Sequence, residues 1–214
     1  MAPRISESTI RRLSHYLRAL EQMEKRGETT VSSTQLAEWG GTTAAQVRKD
    51  LSQFGSFGKR GLGYSVRELG LRLRGILGVD HRWRVALVGA GRIGSALFEY
   101  PNFSQRGFDL VAVLDNAPTK VGRSWGDVTI RHVEDLEEVV ASLGVDLVII
   151  AVPADAAQEV ADRAVESGAR GILNFAPTQI RVPSDVPVTD VNLVMEMEAL
   201  SFAITRTREE ETGS

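Results

Sequence analysis

The stretch Arg84–Gly94, RVALVGAGRIG, decides how the rest of the chain is read. Val85, Ala86, Leu87 and Val88 form the short apolar run of a strand buried on both faces. They lead directly into Gly89-Ala90-Gly91-Arg92-Ile93-Gly94, a G-x-G-x-x-G turn that opens onto Ser95-Ala96-Leu97-Phe98 as a first helical turn. In a dinucleotide-binding turn one glycine makes the tight bend, one lets the backbone approach a pyrophosphate, and one lets the helix pack closely on the strand. The helix N-terminus then offers free N–H groups and a positive dipole to the phosphates. A second apolar run, Leu110 to Leu114, ends on Asp115, 21 positions after Gly94. An acid about 20 residues on holds a ribose hydroxyl and repels a 2′-phosphate, so NAD(H) is expected ahead of NADP(H).

Working outward, the 214-residue chain is long enough for one large domain or two small ones. Its 43% apolar and 25% charged residues are ordinary for a globular protein. The absence of cysteine excludes disulfides, zinc-thiolate sites and thiol redox sensing. No apolar run approaches the roughly 20 residues of a membrane span, and Met1-Ala2-Pro3-Arg4-Ile5-Ser6 has no apolar signal core, so a cytoplasmic protein without a membrane partner is expected. The net charge of −3 hides an asymmetry, because residues 1–84 carry 15 Lys/Arg against 8 Asp/Glu while the remainder carries 10 against 20. A basic half and an acidic half point to two domains with different partners, a polyanion facing the first.

In the basic half, Ile10, Leu13, Leu17 and Leu20 recur at helical spacing, with Ser6 or Ser8 available as N-cap and Gly27 just past the end. Ser32 to Gln35 and Thr43 to Gln46 each read as capping boxes, separated by Gly40-Gly41, which gives a helix-turn-helix corner. On the second helix of that corner, Val47, Leu51 and Phe54 share an inward face. Ala45, Arg48, Lys49 and Ser52 share the opposite one, suited to the phosphates and base edges of a major groove. Phe54 to Tyr64 is glycine-rich and reads as a β-hairpin wing with Lys59 and Arg60 near its tip, where an arginine can enter a narrow minor groove. Ser65 and Glu68 open a further helix with Val66, Leu69, Leu73 and Ile76 inward; Gly78 ends it, and Val79 to Trp83 is read as a linker. A winged-helix DNA-binding domain is therefore expected over residues 1–80.

In the acidic half, Leu147 to Val152 reads as a strand ended by Pro153, Ala154 to Ser167 as a helix, and Gly171 to Phe175 as another strand. Alternating strands and helices imply a Rossmann-like doubly wound parallel sheet over 81–191. Ligands meet such sheets at the strands' carboxyl ends, which makes Ala151, Val152, Pro153, Asn174 and Phe175 candidates for the nicotinamide end. Leu193, Met197, Leu200 and Ile204 form a last amphipathic helix over 192–206, which within one subunit would cover the sheet, and 207–214 reads as a mobile tail.

Taken together, Ala45-Gln46-Val47-Arg48-Lys49-Asp50-Leu51-Ser52, Phe54-Gly55, Lys59-Arg60-Gly61 and Gly63-Tyr64 resemble the bacterial redox-sensing repressor family Rex. So do the fingerprint through Leu97, Tyr100-Pro101 and Ile172-Leu173-Asn174-Phe175-Ala176-Pro177. The resemblance runs from about Ile10 to Ile204. It implies a homodimer that binds an inverted-repeat operator, is released by NADH, and holds NAD⁺ without release. It further implies that Gln46, Arg48, Lys49, Ser52 and Arg60 touch DNA and that Gly89, Gly91, Arg92, Gly94 and Asp115 hold adenosine and pyrophosphate. By the same resemblance the last helix exchanges between subunits, and an acid just before it pairs alternately with Arg18 and Tyr100. Here that place holds Asn192, with Asp190 two positions earlier, so either Asp190 takes the role or switching relies on packing.

A small NAD-dependent oxidoreductase is the competing class. It needs a substrate domain and a proton donor or acceptor at the nicotinamide, yet only 130 residues follow the first 84. The histidines are His15, His81 and His132; His132 reads as a loop or surface residue, and no metal-ligand spacing occurs. Neither enzyme chemistry nor a metal is expected. A coenzyme A-binding module shares the fold and stays open as an alternative, since fold does not settle ligand.

Overall fold

The computed structural model describes residues 5–58 and 62–212, with side chains described up to Arg206. The chain divides into two compact units, Met1–His81 and Arg82–Ser214.

The first unit runs α1 (Glu7–Lys25), β1 (Thr30–Val31), α2 (Ser33–Gly40), α3 (Ala44–Ser52), β2 (Tyr64–Ser65) and α4 (Val66–Ile76). Ser6 caps α1 by accepting from the Thr9 amide. Leu13, Tyr16, Leu17 and Leu20 carry its buried stripe, whereas Ile10, expected inside, is 45% exposed. At that turn the buried place goes to Thr9, whose hydroxyl accepts from Arg12. Leu36, Val47, Leu51, Val66, Leu69 and Leu73 close the core from the other helices. The Ser32–Gln35 capping box is complete. At Thr43 the hydroxyl accepts from the Gln46 amide, but the Gln46 side chain turns to Asp50. Of the expected wing, Tyr64 and Ser65 pair antiparallel with Val31 and Thr30, and the tip, residues 59–61, lies outside the described residues. A two-residue strand before α2 has too little length to announce itself by alternation.

The second unit contains β3 (Trp83–Val88), α5 (Arg92–Phe98), α6 (Asn102–Gln105), β4 (Phe108–Asp115), β5 (Ser124–Trp125), β6 (Val128–His132) and α7 (Leu136–Leu143). After these come β7 (Leu147–Ile150), α8 (Ala154–Glu166), β8 (Gly171–Asn174), β9 (Val188–Asp190) and α9 (Leu193–Thr212). Trp83 belongs to β3, so the segment read as a linker stops short of it. The sheet has the order β5-β6-β4-β3-β7-β8-β9, parallel except for β5 against β6. Successive side chains point to opposite faces. Ala86 and Val88 pack with α7 and α8 through Val139, Val140, Ala157 and Ala161. Val85 and Leu87 face the other way, with Val113, Ile130, Leu97 and Phe98.

The last helix departs from the reading in which it covers its own sheet. Leu193 is 69% exposed and Ile204 47%, with Met197, Leu200 and Phe202 also exposed. The helix runs on to Thr212, through most of the stretch read as a tail.

Candidate functional site

In the second unit the chain leaves β3 for β4 on one side and returns to β7 on the other. This switch of direction opens a crevice at the strands' carboxyl ends, where ligands of such sheets sit. A cavity of about 800 Å³ lies there, lined among others by Gly91, Arg92, Ile93, Asp115, Lys120 and Pro153. The three glycines serve different needs. Gly89 has φ +106°, and a Cβ there would strike the Ala151 carbonyl; a Cβ at Gly94 would strike the carbonyl of Gly89. Both are demanded by the fold itself. At Gly91 a Cβ would meet nothing, although the residue lines the cavity. Its bareness thus leaves room for a group that approaches the backbone, as a pyrophosphate does.

Asp115, at the end of β4, is buried. Its Oδ2 accepts from the Ala90 amide at 2.7 Å and from Lys120 Nζ at 2.9 Å, and its Oδ1 accepts from the Ala117 amide at 2.8 Å. Burial alone pushes this carboxyl up, but the hydrogen bonds from Lys120, Ala117 and Ala90 outweigh it and hold it below the ordinary range. The carboxylate therefore anchors the glycine loop to β4 and keeps a negative charge on the cavity wall. Ala90 sits behind the wall as a buried donor. Lys120 escaped sequence reasoning, because a lone lysine in the turn Asn116-Ala117-Pro118-Thr119-Lys120 has no periodic signature. His132 corrects an expectation: it ends β6 directly beside Asp115 in register, half-buried, and lines the cavity.

Of the residues expected at the nicotinamide end, Ala151, Val152 and Pro153 line the cavity, whereas Asn174 and Phe175 are not among its lining residues. Asn174 is fully buried and bonded: its Nδ2 donates to the Thr178 carbonyl and Asp190 Oδ1, and its Oδ1 accepts from the Ala176 amide. It ties β8 to β9. Phe175 packs into the sheet-face cluster. Of the residues implied as a switch, Arg18 is exposed on α1. Tyr100 is exposed after α5, edge-on to Phe103 at 5.5 Å. Asp190 accepts from Asn174, and Asn192 caps α9 by accepting from the Val194 and Met195 amides.

In the first unit, α3 exposes Arg48, Lys49 and Ser52 on one side while Val47 and Leu51 are buried on the other. Arg48 donates to Ser33 Oγ on α2 at 2.9 Å, and Ser52 Oγ donates to the Lys49 carbonyl. Gln46 is half-buried and donates to Asp50. Lys59 and Arg60 lie outside the described residues. Among the described residues no cluster of His, Asp or Glu is placed to hold a metal, and no helix is long and apolar enough to cross a membrane.

A helix-turn-helix unit with a cationic outer face, joined to a doubly wound unit with a glycine-fingerprint cavity, defines a DNA-binding regulator with a nucleotide-sensing domain. The "CoA binding domain" family matches residues 80–178, and the "Putative DNA-binding protein N-terminus" family matches residues 4–52. The chain is 49% identical to the redox-sensing transcriptional repressor Rex of Carboxydothermus hydrogenoformans, over 95% of this chain and 98% of that one. It is 41% identical to Rex of Streptomyces coelicolor, over 98% of this chain and 81% of that one. Among solved structures it resembles RSP in complex with β-NAD⁺ and operator DNA, with TM-score 0.91 and 37% identity, covering 98% of this chain and 97% of that one. RSP in complex with β-NADH gives TM-score 0.88 and 35% identity, over 99% and 100%. The chain belongs to the Rex family of redox-sensing transcriptional repressors.

Proposed function

We propose that this chain represses transcription as a homodimer on an inverted-repeat operator and that NADH, bound in the cavity at Gly91 and Asp115, releases it. NAD⁺ competes for the same cavity without releasing the protein. The observation that carries this reading is the cavity itself, bare at Gly91 and anionic at Asp115, in a chain whose other unit presents Arg48 and Lys49 outward. The protein works in the cytoplasm, where its DNA is.

On the DNA side, Gln46, Arg48, Lys49, Ser52, Lys59 and Arg60 make the contacts. On the nucleotide side, the turn Gly89 to Gly94 meets the pyrophosphate through Gly91, Arg92 and Ile93, Asp115 holds the adenosine ribose, and Ala151 to Pro153 lie toward the nicotinamide. Bound NADH supplies a reporter of redox state; no hydride transfer is needed. The helix α9 exchanges between subunits, a role supported by its unpartnered Leu193, Met197, Leu200 and Ile204. The resulting two-fold symmetry matches a palindromic operator. Mechanistically, NADH favours an arrangement in which the two α3 helices no longer fit successive major grooves, and DNA reciprocally weakens NADH by the same factor.

The test is an operator-binding titration with NAD⁺ and NADH in competition at fixed salt, because DNA affinity depends steeply on salt. NADH should weaken operator binding and NAD⁺ should restore it. Indifference of operator binding to NADH overturns the proposal, and tighter binding of coenzyme A than of NADH overturns the ligand.

A further inference from the structure

Asp50 is a fully buried charge on α3, one helical turn after Gln46. Helix α1 grips it firmly: Arg12 Nε donates to Oδ2 and Arg12 Nη2 to Oδ1, each at 2.7 Å, and the Tyr16 hydroxyl donates to Oδ2 at 3.0 Å. Burial raises this carboxyl, but the bonds from Arg12, Gln46 and Tyr16 outweigh burial and leave it lowered, hence ionised. An ionised carboxylate only accepts hydrogen bonds. The end of the Gln46 amide that meets it is therefore the nitrogen, and Nε2 donates to Oδ1 at 2.8 Å. The amide is planar, so Oε1 points away from Asp50. Turning the amide over would set Oε1 against a buried anion.

The orientation matters because the major-groove edges of the bases differ in sign. Adenine and cytosine offer amino donors there, whereas guanine and thymine offer oxygen acceptors. A glutamine free to turn over serves either kind. We propose that Asp50 is a positioning residue that locks Gln46 with its Oε1 acceptor toward the groove, so that each half-site selects adenine or cytosine over guanine or thymine at the base Gln46 meets. This rests on the reading above that Gln46 touches DNA.

The test selects bound duplexes from a randomised DNA pool with the purified full-length protein and sequences them, for wild type, Gln46→Met and Asp50→Asn. Wild type should favour adenine or cytosine at one position per half-site, by roughly 2- to 12-fold for a single hydrogen bond. Gln46→Met should erase that preference. Asp50→Asn, checked for folding by thermal melting, should erase or invert it while the other positions hold. An Asp50→Asn variant that keeps the preference overturns the lock, as does a wild-type preference for guanine or thymine there; the contact itself would survive both. A Gln46→Met variant with unchanged preferences at every position instead overturns the contact. If Asp50→Asn fails to fold, the wild-type and Gln46→Met pools decide: at the base whose preference Gln46→Met erases, adenine or cytosine supports the lock and guanine or thymine overturns it.

Discussion

Asp115→Asn is nearly isosteric and yet should be costly. The carboxylate satisfies three donors, the Ala90 and Ala117 amides and Lys120 Nζ. An asparagine has one oxygen, so whichever way it turns its NH₂ faces another donor. The milder orientation keeps Ala90 and Lys120 and leaves the Ala117 N–H unpaired, which costs about 1–3 kcal/mol, discounted toward 1 because Ala117 is half-buried. Replacing a charged acceptor by a neutral one weakens the remaining bonds by about 1 kcal/mol each. A loss of about 2–3 kcal/mol corresponds to a drop of roughly 6–9 °C in the melting temperature of the second unit. NADH affinity should fall with it, and discrimination against NADPH should relax because the charge facing a 2′-phosphate is gone. Calorimetric melting together with NADH and NADPH titrations reads all three. A melting temperature within about 1 °C of wild type, with unchanged ligand preference, would refute the view that this carboxylate organises the glycine loop.

Acid should expose the same group: because the folded pKa of Asp115 lies below the ordinary aspartate value of about 3.9, its stabilisation is complete above that pH and drains away as the pH falls through the folded value. Asp115→Asn should lack that part of the acid transition in pH-dependent melts. Gly94→Ala drives a methyl into the Gly89 carbonyl, which should destabilise the second unit by about 1–3 kcal/mol and abolish NADH binding in calorimetry; normal binding would show that α5 slides without consequence. Lys49→Ala and Arg60→Ala should each weaken operator binding and reduce its salt dependence by about one released counterion, while NADH affinity of the free protein stays put; a parallel loss of both refutes separate sites. Asn192→Asp keeps a capping oxygen for the Val194 and Met195 amides but adds charge, and should strengthen operator binding in NAD⁺. Unmoved affinities in both NAD⁺ and NADH would sink the role of that position.

Much of this fold is written in local chemistry. The run Val85–Val88 into three glycines needs no tertiary knowledge, because Gly89 and Gly94 answer clashes within their own strand-turn-helix unit and its neighbouring strand. The serine caps at Ser6, Ser32 and Ser65 are equally local. What stayed hidden depends on partners far along the chain. Asn174 looked like a ligand residue because it follows a strand at the crevice edge, but Asp190 and the Thr178 carbonyl claim its amide. Asp50 looked like one charge in a basic string, and only the approach of Arg12 and Tyr16 from α1 makes it a buried hub. The strand β1 is invisible for the same reason, being defined by a partner more than thirty residues away.

The histidine that sequence reasoning set aside stands apart from the residues proposed at the nicotinamide end. His132 does reach the cavity, yet it stands beside Asp115 on β6, and its Nδ1 accepts from the Glu134 amide. The residues proposed at the nicotinamide end, Ala151 to Pro153, follow β7, which lies three strands across the sheet in the order β6-β4-β3-β7. At about 4.8 Å per strand that is roughly 14 Å, far beyond the about 3 Å over which a general acid or base exchanges a proton. A dinucleotide bound with its ribose on Asp115 would have this imidazole at its adenosine end, while Ala151 to Pro153 line the cavity beyond β7, followed on α8 by Ala156, Glu159, Val160 and Arg163. A sensor of the NADH/NAD⁺ ratio requires binding without turnover, because a cavity that consumed its NADH would erase the signal it reads.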